Sequence, residues 1–438
     1  MGAELLKWAG WAGVVLFTCG VSLAAAQSPN TSAIVVLVVD QTGAVVPDAQ
    51  VSAANAQTGS VRQRTTGRDG SVTLAALPLT GAYKISVAKT GFRTEDVPEV
   101  ALRAGETASI RIKLVATGGQ SEVTVYGTTQ GVRRDPEIGV RLDSGRIDET
   151  PVLGQKITSL PLLNSAFRSG KGTGDLFVNA TYFVAGAGGR RQPTYAIDGA
   201  TGDEPWGRQT MFSTVPVGAV QEMTVLSSAF SSEFGWTSSA AINVVTKSGT
   251  NDLHGEALYV GRPGSWETST ASAGDTTVAP ADVPDVLNQV SGALGGAIVK
   301  DKTFYFVAAD GTAQDRTAYF ASAVPPALLG GATSYTGNYR QALVDARLDH
   351  KLNPASTLMA RFNLDRFSDN NPQDVVSGTS LPSAGRVFRR HTYTGQINDT
   401  MVISNAMLNE ARFEFQDGDP ITDFDPISPS TQFTRAGV

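Results

Sequence analysis

The sequence predicts a mainly β protein in three parts: a small antiparallel sandwich, a glycine-rich middle of short strands, and long amphipathic strands suited to a transmembrane wall. Three observations predict it. Of 438 residues only 17% are charged and 46 are glycine, a balance that favours strands and turns over long helices. Turn signals recur about every ten residues between positions 31 and 114. Beyond position 250 apolar and charged residues alternate over long runs.

The first element, residues 1–26, reads as a cleavable export signal. Lys7 precedes an apolar stretch from Trp8 to Ser22, and Ala24 and Ala26 set a small-residue cleavage site before Gln27. The stretch is short for a membrane span. Phe17 and Thr18 before Cys19 are a poor match for lipoprotein processing. Cleavage would remove Cys19, the single cysteine, and with it any disulfide or thiol chemistry.

The second element spans residues 27–118. Short strands are expected at Ala33–Asp40 and Ala49–Ala56, with Asp69-Gly70 as a tight turn ahead of a further run. Tyr83, Ile85 and Val87 share one face of a strand. "TASIRIKL" points Ala108, Ile110, Ile112 and Leu114 inward and Ser109, Arg111 and Lys113 outward. Asp40, Gly43, Pro47-Asp48-Ala49, Thr58-Gly59, Asp69-Gly70, Leu77-Pro78, Gly81, Tyr83 and Gly91-Phe92 occur in an order that resembles the carboxypeptidase regulatory-like domain. That resemblance implies a transthyretin-like sandwich of the carbohydrate-binding-like superfold.

Residues 119–130 form a linker. Glu122, Val123, Thr124, Val125 and Tyr126 make a lone extended segment that reads equally as an ordinary strand or as an edge strand offered to a partner. Residues 131–250 mix short strands with glycine-rich loops. Ile197-Asp198-Gly199, Val220-Gln221-Glu222-Met223, Glu233-Phe234-Gly235 and the run Ile242–Asn251, with Lys247 and Gly249, are similar to the plug domain of TonB-dependent outer-membrane receptors. With that resemblance, residues 122–126 become a candidate TonB box, engaged by a periplasmic energy-coupling protein.

The last element is residues 251–438. "ALVDARLDH" sets Val344, Ala346 and Leu348 against Asp345, Arg347 and Asp349. "STLMARFNLDRF" sets Leu358, Ala360, Phe362 and Leu364 against Arg361, Asn363 and Asp365, and "LNEARFEFQ" repeats the pattern around Phe413 and Phe415. Strands of about ten residues with one apolar face fit a barrel with lipid outside and water within. "KLNPAS" is a tight join. "GRPGSWETSTASAGDTTVAPADVPDV" and "SDNNPQDVVSGTSLPSAG" are long polar connections of the kind expected outside the cell. About seven strands are expected between 252 and 416, and "VSGALGGAIVKDKTFYFVAADG" resembles the early barrel of the Oar-like branch of these receptors. Such receptors close with about 22 strands, and the residues Ala436-Gly437-Val438 form no terminal aromatic strand, so the sequence reads as the N-terminal part of a larger protein or a truncated product.

No catalytic residue, metal site or cofactor is expected. In "RSGKGTGD" Lys171 is followed by Gly172, and Ser165 stands where a phosphate loop needs its first glycine. Gly186–Gly189 opens no helix, so Arg190 and Arg191 read as solvated loop residues. His254, His350 and His391 lack the spacing of a zinc peptidase. Asp417, Asp419, Asp423 and Asp425 lack the glycine and closing glutamate of an EF-hand. A net charge of −6 argues against nucleic acid. The expected function is outer-membrane binding or uptake of a bulky solute, with oligosaccharide as one class. The partners are a TonB-like protein and outer-membrane lipid. The alternatives are an outer-membrane adhesion protein and a carbohydrate-binding exported protein acting through residues 31–114.

Overall fold

The computed structural model describes residues 28–117, 126–128, 139–150, 156–169, 182–184, 193–203, 212–227, 237, 240–264, 286–320, 324–325, 327, 334–370, 381, 385–404 and 407–424. The expected signal cleavage residues Ala24, Ala26 and Gln27 lie outside them, as do Glu122–Val125, Glu233, Gly235, Arg190 and Arg191.

The N-terminal strands are β1 (Ser32–Val39), β2 (Gln50–Asn55), β3 (Val61–Thr65), β4 (Ser71–Leu77), β5 (Ala82–Ala88), β6 (Glu95–Ala101), β7 (Thr107–Lys113) and β8 (Tyr126–Thr128). They form two four-stranded sheets, ordered β4-β1-β7-β8 and β3-β2-β5-β6. Alternation dictates what lies between them. Tyr83, Ile85 and Val87 face Ala108, Ile110, Ile112 and Leu114 in one apolar core with Ile34, Val36 and Val51. Pro98 is tolerated because β6 is an edge strand, where a missing N–H breaks no ladder.

Two details depart from the expected antiparallel sandwich. β1 and β7 run parallel, because β7 reaches the first sheet by crossing over from β6 at the edge of the other sheet. Asp69-Gly70 does not close a hairpin: β3 and β4 belong to different sheets, so the turn carries the chain from one layer to the other.

The middle of the chain contains β9 (Gly139–Asp143), the short helix α1 (Ser144–Glu149), β10 (Phe167–Ser169), β11 (Tyr182–Val184), β12 (Thr194–Ile197), β13 (Ala200–Thr201), β14 (Val220–Ser227) and β15 (Ala240–Thr246). Asp143 caps α1 by accepting the Arg146 N–H at 2.9 Å. A five-stranded sheet, β13-β12-β15-β14-β9, forms the centre of this unit, and β10 pairs with β11. Its core gathers Leu142, Ile157, Leu160, Tyr195, Ile197, Met223, Val225, Ile242 and Val244, together with Phe306 and Ala308 from the next region.

That region is a seven-stranded antiparallel meander whose spatial order is its chain order: β16 (His254–Arg262), β17 (Val286–Val299), β18 (Thr303–Tyr319), β19 (Ser334–Asn353), β20 (Ser356–Asn370), β21 (Arg386–Ser404) and β22 (Met407–Phe424). The strands after β16 run to 14–20 residues, longer than the ten expected. At about 3.3 Å per residue they extend beyond a hydrocarbon layer of about 30 Å. Two residues join β19 to β20, whereas 15 separate β20 from β21.

This sheet is inside out. Asp345, Asn363, Asp365 and Asp369 are fully buried, whereas Phe362, Ile397 and Phe413 are 47%, 51% and 66% exposed. The polar face is covered by the central unit, as Phe306 and Ala308 show, and the apolar face is bare. No helix among the described residues is long and apolar enough to cross a membrane, which says nothing of strands.

The stretch from Val244 to Tyr259 is not a hairpin. β15 pairs with β12 and β14 inside the central unit, and β16 pairs with β17 in the long sheet. Residues 247–253 carry the chain from one body to the other.

Candidate functional site

The geometry that stands out is the contact between the central unit and the polar face of the long sheet. It is built on a two-residue turn. β12 and β13 are joined by Asp198 and Gly199, both at positive φ (50° and 76°), as a tight hairpin turn requires. A Cβ on Gly199 would also lie 2.5 Å from the Asn30 side chain and 2.7 Å from the Arg412 guanidinium, so both side-chain ends would have to swing aside. The turn presses the Asp198 carboxylate back onto β15, where it accepts the Thr246 N–H at 2.9 Å and the Thr246 hydroxyl at 2.7 Å.

Two arginines of the long sheet close on the same carboxylate. Arg347 of β19 lies 3.3 Å from Asp198 Oδ1, and Arg361 of β20 lies 3.3 Å from Oδ2. Each arginine has its own support. Asp349 holds Arg347 through two bonds of 2.8 and 2.9 Å, and Arg347 donates further to the Thr246 carbonyl at 2.9 Å. Asp345 lies 3.3 Å from Arg361, and Gln396 accepts from it at 2.9 Å. Gln396 and Asn398 donate to the Asp198 carbonyl at 3.0 and 3.2 Å. Charges taken out of water are tolerable only when paired and hydrogen-bonded in this way.

A second anchor lies farther along the strands, where Lys156 immediately precedes the 3-10 turn Ile157–Leu163. Its ammonium donates to Thr312 at 3.0 Å and to Gln341, and lies 3.5 Å from Asp310. Burial pulls its pKa below the usual lysine value, against the pull of Asp310. Nearby, Ser213 donates to Asn363 at 2.6 Å and Thr214 donates to Asp365 at 2.9 Å.

Gly249 shows how close the two bodies come. A Cβ there would sit 2.3 Å from the Tyr305 carbonyl oxygen and 2.5 Å from that of Gly296, both backbone atoms. The neighbouring Lys247 N–H donates to the Ala219 carbonyl at 2.7 Å. Glu222 points the other way, toward the N-terminal sandwich, where it accepts the Ala104 N–H at 3.2 Å. Burial raises its pKa to about 7, opposed by the Ala104 bond and by Arg141. Tyr126 opens β8 and pairs with Arg111 of β7.

The structure therefore brings Asp198, Gly199 and Gly249 to one boundary, leaves Lys247 bonded within the central unit, and sets Glu222 at another boundary. Arg347, Arg361, Asp345 and Lys156 were not singled out as site residues. Their signal is the crowding of charge on one face of β19 and β20, which shows a polar surface without naming its partner. Such a boundary is held by hydrogen bonds and ion pairs that water can replace.

The sequence matches the carboxypeptidase regulatory-like domain over residues 33–115 and the outer membrane beta barrel domain over residues 245–343 and 330–438. It is 24% identical over 307 residues to the TonB-dependent transporter Oar of Myxococcus xanthus, covering 67% of this chain and 28% of that relative. The chain thus spans about 28% of that relative's length. Among solved structures it is similar to the outer membrane transporter YddB from Escherichia coli, at 13% identity and a TM-score of 0.49 over 64% of this chain and 40% of that one. It is also similar to the alcaligin outer membrane receptor FauA from Bordetella pertussis, at 12% identity and a TM-score of 0.46 over 67% and 41%. The chain is a homologue of the TonB-dependent transporter Oar, with a carboxypeptidase regulatory-like domain ahead of its outer membrane beta barrel sequence.

Proposed function

We propose that this chain serves TonB-dependent binding and uptake of a bulky solute at the outer membrane. The long sheet is the barrel wall, with its bare apolar face against lipid. The central unit, residues 131–250, is the plug that fills the lumen. Residues 122–126 are the segment offered to a periplasmic energy-coupling protein, and residues 27–118 form a separate periplasmic domain. The chain itself performs no covalent chemistry.

One observation carries this reading: fully buried Asp345, Asn363 and Asp365 on the face opposite exposed Phe362 and Ile397. A soluble sheet would bury the apolar set. A solvent of hydrocarbon makes the outer face favourable, and backbone hydrogen bonds between neighbouring strands satisfy the polar groups there, leaving only the outer edges of β16 and β22 for further strands of a closed barrel to pair.

The test is to express the chain in a Gram-negative host and fractionate the envelope, then to crosslink from Thr124→Cys to the C-terminal domain of the energy-coupling protein. Recovery in the outer membrane, with a crosslink that Val123→Pro and Val125→Pro abolish, supports the reading. Proline removes the N–H groups that edge pairing requires. Recovery in the soluble periplasm ends it.

A further inference from the structure

The N-terminal sandwich does not hang free of the other bodies, and we infer that it is a latch, braced across the joint between plug and wall so that the plug moves only after the sandwich lets go. The contacts fall on both sides of that joint. Toward the plug, the Ala104 N–H donates to the Glu222 carboxylate at 3.3 and 3.2 Å. Arg141 of β9 lies 3.4 Å from the Glu106 carboxylate and donates to the Ala104 carbonyl. Asn243 of β15 donates to Asn30 at 3.1 Å and to the Pro29 carbonyl at 3.3 Å.

The packing agrees. In a strand successive side chains point to opposite faces. On β15, Val244 enters the plug's own core, and its neighbour Val245, 5% exposed, enters the core of the sandwich. One plug strand is therefore shared between two apolar cores. Withdrawing it returns Val245 to water.

Toward the wall, the loop between β2 and β3 and the start of β3 sit on residues 247–253, which link plug to wall, and on the end of β19 with the turn that follows it. The Asn251 N–H donates to the Gln57 carbonyl at 2.8 Å, Lys351 donates to the Thr58 carbonyl at 3.2 Å, and Arg62 donates to the Pro354 carbonyl at 2.8 Å. Gly59, at φ +59°, meets the Asp301 carboxylate so closely that any Cβ would overlap it. Between the three bodies a cavity of about 120 Å³ remains, lined by Thr58 and Arg62 of the sandwich, Asp198 and Thr246 of the plug, and Arg347 and Lys351 of the wall. The sandwich thus roofs the cluster that ties plug to wall.

The latch stands on this geometry whether or not residues 122–126 bind a partner, so it fails or survives separately from that reading. The test uses the full chain in detergent or proteoliposomes. Because Cys19 is the single cysteine, Asn30→Cys with Asn243→Cys in a Cys19→Ser background reports docking directly. Near-complete disulfide formation under mild oxidation is expected, and its absence overturns the arrangement. Hydrogen exchange then reads the latch: Glu106→Arg should speed amide exchange of β14 and β15 tenfold or more and leave β18–β21 unchanged. Adding Arg141→Glu should restore protection. Unchanged β14 and β15 in Glu106→Arg, with β1 and β7 still protected, overturn the proposal. Should Glu106→Arg unfold the sandwich, the cysteine pair decides. The oxidised form should protect β14 at least threefold better than the reduced form, and equal protection overturns the latch.

Discussion

Arg347 and Asp198 come from different bodies of the protein and meet 3.3 Å apart, with Thr246 hydrogen-bonded to both. Arg361 reaches the other carboxylate oxygen, so one plug aspartate holds two wall strands. Asp198→Ala takes one carboxylate from each of two buried guanidinium groups, leaving Arg347 to Asp349 and Arg361 to Asp345 and Gln396. Removing one partner of such a network costs about 3–5 kcal/mol. The expected result is faster hydrogen exchange in β12, β13 and β15, with the wall strands unaffected. Asp198→Asn, which keeps an acceptor for the Thr246 N–H, should lose less.

Glu222 makes docking of the sandwich depend on pH. Docked, its pKa is about 7 against an ordinary 4.5, because burial disfavours the charge. Arg103, Arg141 and Glu106 face it, and Asp143 and Val245 flank it across the sheet. The docked state then binds an extra proton between about pH 4.5 and 7, so docking is strongest at the acid end and weakens as pH rises through 7. From pH 8 to pH 6 it should tighten about tenfold. The rate of the Asn30→Cys/Asn243→Cys disulfide, corrected for thiol ionisation, measures it. Glu222→Gln should flatten the profile.

Gly249 cannot be enlarged. Its missing Cβ would fall on two wall carbonyls that are held in strand ladders and cannot swing away. Gly249→Ala should cost about 1–3 kcal/mol by overpacking. The yield of protease-resistant protein in the outer membrane should drop severalfold, whereas Gly43→Ala, with open space around it but a strained φ of +88°, should lower it less.

Phe362 and its neighbours test what lies outside the wall. Phe362→Lys should lower wall stability by about 2–4 kcal/mol near the bilayer midplane and much less near either interface. Reversible unfolding in lipid vesicles, followed by heat-modifiable gel mobility, gives the number. An unchanged midpoint would place that face in water.

The alternation in β7 and β20 made their inward and outward faces legible before any coordinates, because a strand's two faces are written at every second residue. The same logic separated Val344, Ala346 and Leu348 from Asp345, Arg347 and Asp349, and it counted the seven long strands. Strand length was not legible, since a ladder extends as far as its neighbours pair and not only as far as the apolar band. The Val244–Tyr259 stretch, where the middle segment was expected to end and the long strands to begin, holds two adjacent strands that pair into different sheets.

By itself the sequence determined which residues are apolar on which face, where the chain turns, and that the later strands carry charge opposite grease. Only the tertiary structure decided that the charged faces of β19 and β20 close on Asp198, that Val245 enters the sandwich core, and that Glu222 meets Ala104. Periodicity is a property of neighbours in the chain, whereas these contacts join residues about 120 to 160 positions apart, whose meeting depends on how three separately folded layers stack.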